Sequence, residues 1–202
     1  MRHLVLASVA SAGEATGVPA FDSKWAFELH LQREAAAGRA PPTTVLAPVG
    51  FMENFESNFA SLRQGVVPSL LSRGRKVQLV SVEDVAWFAC AAFERPAEFV
   101  GRRIELAGDE RSAEELCDAI ARVRGEAGRW HVVAPPEMLL RLVVPAAVAS
   151  LRRFLEERGC HVDIAALRAE HPGLMRFEDW LRRRGLDTRT LPPAGWASCA
   201  IV

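Results

Sequence analysis

Short apolar runs alternate with longer segments of helical periodicity along most of this chain, and that alternation decides the fold class. His3-Leu4-Val5-Leu6-Ala7-Ser8-Val9 is a continuous apolar run closed by turn-forming residues, the pattern of a strand buried on both faces. From Phe21 to Ala37 the apolar positions Phe21, Trp25, Leu29 and Ala36 recur at helical intervals, and Gly38 stops the helix. A second strand is expected at Thr43–Ala47, ended by Pro48, and a helix from near Met52 through Asn54, Phe55, Phe59 and Leu62. Val77–Val80 reads as a strand and Ser81 as the cap of a helix running to Phe93, with Asp84 completing a carboxylate variant of the capping box. Arg102–Leu106 alternates like a strand, and Ser112 with Glu115 makes a capping box for a helix over Ala113–Arg124. A strand at Trp130–Val133 follows, then a helix after Pro135-Pro136 and shorter ones near Asp163–Ala169 and Phe177–Arg183. The stretch before Gly74 and the tail Leu186–Val202 read as irregular. Strands alternating with helices of this length mean an α/β domain with a mainly parallel, doubly wound sheet and a helix-rich lobe from about Ser112 onward.

Charge narrows the function classes. The chain of 202 residues carries 25 Lys and Arg against 25 Asp and Glu, so nothing rewards nucleic acid or an anionic membrane as a partner. The densest positive spot, Arg182-Arg183-Arg184, reads as the solvated face of a terminal helix. The apolar stretch Pro136–Leu155 holds Glu137, Arg141, Arg152 and Arg153, which suits an amphipathic buried helix and not a membrane span. Cys90, Cys117, Cys160 and Cys199 form no C-x-x-C pair and no Cys/His cluster; reduced thiols in a cytoplasmic protein are expected, with Cys90 in the core. His161-x-Asp163 is too short a hint for a metal site, and His131 reads as a packing residue. No secretory signal is evident. The ending Cys199-Ala200-Ile201-Val202 fits the C-a-a-X prenylation pattern, but without a polybasic run before it we read it as unmodified. There is no tyrosine.

Two segments carry a resemblance. Pro19-Ala20-Phe21-Asp22-Ser23-Lys24-Trp25 and the turn Ala47-Pro48-Val49-Gly50-Phe51-Met52-Glu53-Asn54-Phe55 are similar to the F-x-S-K-like segment and the R-P-x-x-F-M-E-N-like turn of the NmrA-like family. Gln78–Ala86, Gly101–Gly108, Asp163–Leu167 and Phe177–Leu181 support it, so the resemblance covers about His3 to Leu186. It implies an atypical short-chain dehydrogenase/reductase with a Rossmann-type fold that binds NADP or NAD. Residues 1–110 would be the C-terminal part of the dinucleotide-binding domain, 111–185 a small helical lobe for substrate or partner, and 186–202 the tail. By the same resemblance Lys24 reaches the ribose of the nicotinamide half, and Phe51, Met52, Glu53 and Asn54 line its nicotinamide end. The positions are chemically apt. Ligands of open α/β sheets sit outside the carboxyl ends of strands, a lysine offers three donors to ribose hydroxyls, and an Asn both donates and accepts toward a carboxamide. Glu53 on its own reads equally as a helix-start residue.

The sequence departs from the pattern twice. Reductases of this group place a Tyr four residues before the lysine as proton donor, and here that position is Ala20, whose methyl cannot donate. Ser8, where such folds place a catalytic serine, then reads as a strand-end hydroxyl satisfying local backbone. The second departure is at the front. Gly13 and Gly17 are loop glycines, and no G-x-G-x-x-G-type turn stands between a strand and a helix to meet a pyrophosphate. The expectation is a chain that lacks roughly the first hundred residues of the family pattern, whose first strand becomes an exposed edge inviting homo-oligomers or aggregation.

Two function classes follow from the resemblance. One is a non-catalytic dinucleotide sensor or regulator acting with a protein partner. The other is an NAD(P)H-dependent oxidoreductase, quinone-reductase-like, in which direct hydride transfer asks less of a protein acid. The absent Tyr favours the first.

Overall fold

The computed structural model describes residues 2–13, 15–57, 65–125, 130–133 and 145–184. Its central sheet has three parallel strands in the order β1-β2-β6, formed by β1 (Leu4–Ala7), β2 (Thr43–Pro48) and β6 (Arg103–Leu106). Leu6 stands beside Val45 and Val45 beside Arg103, so residues of one parity share a face across all three strands. Helix α3 (Val82–Glu94) covers one face, packing Phe88, Ala91 and Ala92 on Leu46, Ile104 and Leu106. Helix α1 (Pro19–Ala36) covers the other, starting at Pro19, whose fixed φ and missing N–H suit a first helical turn. The α/β fold with a partial parallel sheet is the one the alternation demands.

Strands β2 and β6 continue beyond this sheet into a second one. Only Val49 separates β2 from β3 (Gly50–Phe51), and Ala107-Gly108 separates β6 from β7 (Asp109–Ser112). β5 (Lys76–Val80) lies between them, parallel to β3 and antiparallel to β7. Gly108 is required at the junction, because a Cβ there would lie 2.4 Å from the Met175 carbonyl oxygen. A third pair, β4 (Val66–Pro68) with β8 (His131–Val133), is parallel. Strands β3 and β4 escape the sequence reading because they are two and three residues long, too short to show a period, and β7 because its run is polar. The expected division after residue 110 falls inside β7.

Helices α2 (Asn54–Ser57), α4 (Pro96–Phe99), α5 (Ala113–Arg124), α6 (Ala146–Glu157), α7 (Ile164–Glu170) and α8 (Phe177–Arg184) complete the described chain. The continuation of α2 through Phe59 and Leu62, the segment after Pro135 and the tail lie outside the described residues. The capping box of α5 forms as read, with Ser112 accepting from the Glu115 N–H and Glu115 accepting from the Ser112 N–H. At α3 only half of it forms. Ser81 Oγ accepts from the Asp84 N–H, while the Asp84 carboxylate turns to the Ser81 hydroxyl, the Met175 N–H and His171. One further expectation is corrected. Cys90 is exposed, because α3 is apolar on its outer face as well as its inner one. The arginine triplet is exposed on α8 as read, and there Arg182 pairs with Glu178, Arg183 with Glu83, and Arg184 with Glu56.

Among the described residues β1 has β2 as its one strand partner. Leu4, Val5 and Leu6 remain half-buried, and Phe27 of α1 and Phe93 of α3 are 49% and 58% exposed.

Candidate functional site

At the carboxyl ends of β1 and β2 a cleft of about 210 Å³ opens beside the short strand β3. Val9, Ala10, Phe21, Phe51, Asn54 and Cys160 are among its lining residues. Its wall toward the helical lobe is Leu151 and Leu155 of α6 with Gly159 and Cys160. That lobe is held down by Gln78, whose side chain donates to the Val162 carbonyl at 3.0 Å and accepts from the Val162 N–H at 2.9 Å. The volume falls below the roughly 300 Å³ at which drug-sized pockets begin.

The anticipated residues divide. Phe51, at the end of β3, and Asn54, at the start of α2, both line the cleft. Met52 goes the other way and is fully buried among Phe55, Leu79 and Trp180. Glu53 is committed to the framework: its carboxylate accepts from the Trp180 indole N–H at 2.9 Å and from the Val82 N–H at 3.1 Å. Arg184 stands 3.5 Å from it. Lys24 is exposed on α1, three residues on from Phe21, and has no hydrogen bond or ion pair with a described residue. It is not among the residues that line the cleft. Ala20 is exposed four residues earlier.

Beneath the cleft lies a charged network that the sequence reading passed over. Glu28, 1% exposed on α1, accepts the Ser8 hydroxyl proton with one carboxylate oxygen and the Arg103 Nε–H at 2.8 Å with the other. Arg103 also donates to Glu105 at 2.7 Å and to the Val9 carbonyl at 3.0 Å. Glu105 in turn accepts from the Ser11 N–H at 2.7 Å. Burial would depress the Arg103 guanidinium, but its bonds to Glu28 and Glu105 outweigh it and hold the group above its ordinary range. Ser8 therefore does not satisfy local backbone as expected: its hydroxyl donates to the Glu28 side chain, 20 residues on. A signal for Glu28 was available: it stands seven residues, two helical turns, after Phe21, on a face that must be buried.

Cys160 sits over the same loop, its thiol pushed up chiefly by burial and drawn down in part by a hydrogen bond to Ser11. Among the described residues no group of three His, Cys, Asp or Glu side chains could hold a metal ion. No described helix is long and apolar enough to cross a membrane.

Comparison with known proteins places this geometry. No protein of curated function matches the sequence. Among solved structures, NmrA, a negative transcriptional regulator in complex with NADP, superposes with a TM-score of 0.65 at 16% identity, over 94% of this chain and 68% of that one. A Citrobacter sp. triphenylmethane reductase complexed with NADP(H) gives 0.69 at 17% identity, over 92% of this chain and 66% of the other. A nucleoside-diphosphate-sugar epimerase from Staphylococcus aureus gives 0.66 at 11% identity, over 90% and 65%. The chain thus spans about 65% of that epimerase's length, and at these identities the likeness establishes the Rossmann-type fold. The model of the NmrA-like family matches residues 1–165, and the chain belongs to that family.

Proposed function

We propose that this chain is the nicotinamide-side part of an NAD(P)-binding protein that senses a dinucleotide and does not reduce a carbonyl. One observation carries the reading: Phe51 and Asn54 line a cleft at the carboxyl ends of the strands, while the position four residues before Lys24 is the exposed methyl of Ala20. Binding elements are kept and the proton donor is not. Phe51 would stack on the nicotinamide ring, Asn54 would meet its carboxamide, and Lys24 would donate to the ribose. NAD or NADP would supply hydride chemistry when bound, but no side chain at the cleft can complete a carbonyl reduction with a proton from tyrosine. The protein would work in the cytoplasm through a protein partner.

The solved relatives include both a regulator and a reductase, and the apolar wall of Leu151 and Leu155 favours a second reading as an NAD(P)H-dependent quinone reductase. Steady-state NADPH oxidation with a panel of quinones separates the two. The sensor reading expects no turnover above the enzyme-free rate, and sustained turnover would overturn it in favour of the reductase.

A further inference from the structure

The loop after β1 holds two non-glycine residues in the left-handed region, Ser11 at φ 59° and Ala15 at φ 53°. Such backbone persists only where its surroundings over-determine it. The bracing here is specific. The Ala10 N–H donates to the Pro48 carbonyl at 2.9 Å, and the Val9 carbonyl is gripped by Arg103. The Ser11 N–H is held by Glu105, and Thr16 is held by Asp22 through its N–H at 2.9 Å and its hydroxyl at 2.6 Å. Two of these four braces run to the Glu28–Arg103–Glu105 network. Its deepest member, Glu28, has a fully buried side chain and no contact with the cleft.

We infer that Glu28 is a positioning residue for the cleft: through Arg103 and Glu105 it fixes the Val9–Ser11 wall in the conformation that meets a nicotinamide-type ring. This rests on the dinucleotide reading for the identity of the ligand, but not for the positioning itself. Glu28 does two jobs as a carboxylate. One oxygen takes the Ser8 proton while the other takes Arg103, both as acceptor bonds to a carboxylate. A glutamine of the same size would turn its NH2 to the Ser8 oxygen, which can accept, and keep only a neutral acceptor for Arg103, so that bond loses the carboxylate's charge. Arg103 would then lean more on Glu105, loosening its hold on the Val9 carbonyl and displacing Ser11. The wall would relax toward ordinary φ values, and the cleft would lose its shape without losing any lining residue.

The test compares wild type with Glu28→Gln, and with Glu105→Ala as a second variant that leaves the buried Glu28–Arg103 pair intact. Amide hydrogen exchange is read by mass spectrometry on the free proteins, followed by calorimetric titration with nicotinamide mononucleotide. The expected result is exchange faster by roughly tenfold or more across residues 9–13 in both variants, the factor carried by one charge-assisted hydrogen bond, with β5 and α5 unchanged. Binding of the mononucleotide weakens by a similar factor. Exchange that rises equally everywhere in both variants would mean a merely structural role and would overturn the inference. So would a loop that exchanges as in wild type. If wild type itself fails to bind the mononucleotide, the dinucleotide reading falls, and the exchange arm still decides whether Glu28 positions the loop.

Discussion

Replacing Glu53 by Ala separates a framework carboxylate from a ligand-binding one. The change removes the acceptor of the Trp180 indole N–H, in a side chain that is 1% exposed, and a buried donor left without a partner costs about 1–3 kcal/mol. It also removes a negative charge from the first turn of α3, where it meets the Val82 N–H, for a further ~0.3–1 kcal/mol. The Arg184 contact, at 3.5 Å and partly exposed, adds little. The sum is about 1.5–4 kcal/mol, and at about 2–4 °C per kcal/mol for a chain of this length the melting point falls by about 3–16 °C. Glu53→Gln keeps an acceptor for Trp180 and loses less than half as much. Melts followed by circular dichroism, with nicotinamide mononucleotide affinity measured well below the transition, give both readouts. The affinity of the folded variant should be unchanged. A Glu53→Ala protein that melts like wild type but binds tenfold more weakly would refute the framework role.

Four further outcomes follow from the geometry. Lys24→Ala should leave the melting point within about 1 °C, since the side chain touches no described partner, yet weaken mononucleotide binding roughly tenfold or more in calorimetry. Gly108→Ala should lower stability by about 1–3 kcal/mol in urea melts, because its Cβ would sit 2.4 Å from a backbone oxygen that cannot swing away. In a Cys199→Ser background at pH 8, Cys90 should react rapidly with a thiol reagent. Cys117, pushed up to about 11 chiefly by burial, and the buried Cys160 should react slowly. The Glu115 carboxyl is held below its ordinary value, first by the Ser112 N–H. Its contribution is therefore present above about pH 4.3, the unfolded value, and lost as pH falls through the lower folded one. Glu115→Gln should flatten that acid limb of the stability profile.

The fold was legible in the sequence wherever a period was long enough to register. The strands at Leu4–Ala7 and Thr43–Pro48 and the capped helix after Ser112 announce themselves through apolar runs and cap chemistry. β7 does not, because Asp109-Glu110-Arg111-Ser112 is a polar run made a strand by pairing with β5. The candidate site was legible only in part. The turn after β3 was located by likeness to a family, but likeness could not say which of its side chains face the cleft; in the fold Phe51 and Asn54 do and Met52 enters the core. Glu28 was overlooked because a carboxylate on a helix ordinarily means solvent. Only the fold brings it against Arg103, 75 residues away.

The central claim is that this chain holds the nicotinamide half of a dinucleotide site and not the nucleotide half. Saturation-transfer NMR with nicotinamide mononucleotide and adenosine monophosphate, each titrated onto the wild-type chain, tests it most directly. The account predicts saturable transfer to the nicotinamide ring protons, lost in Lys24→Ala, and none to adenine, since the sequence carries no glycine-rich phosphate turn. Transfer to adenine with none to nicotinamide would contradict it.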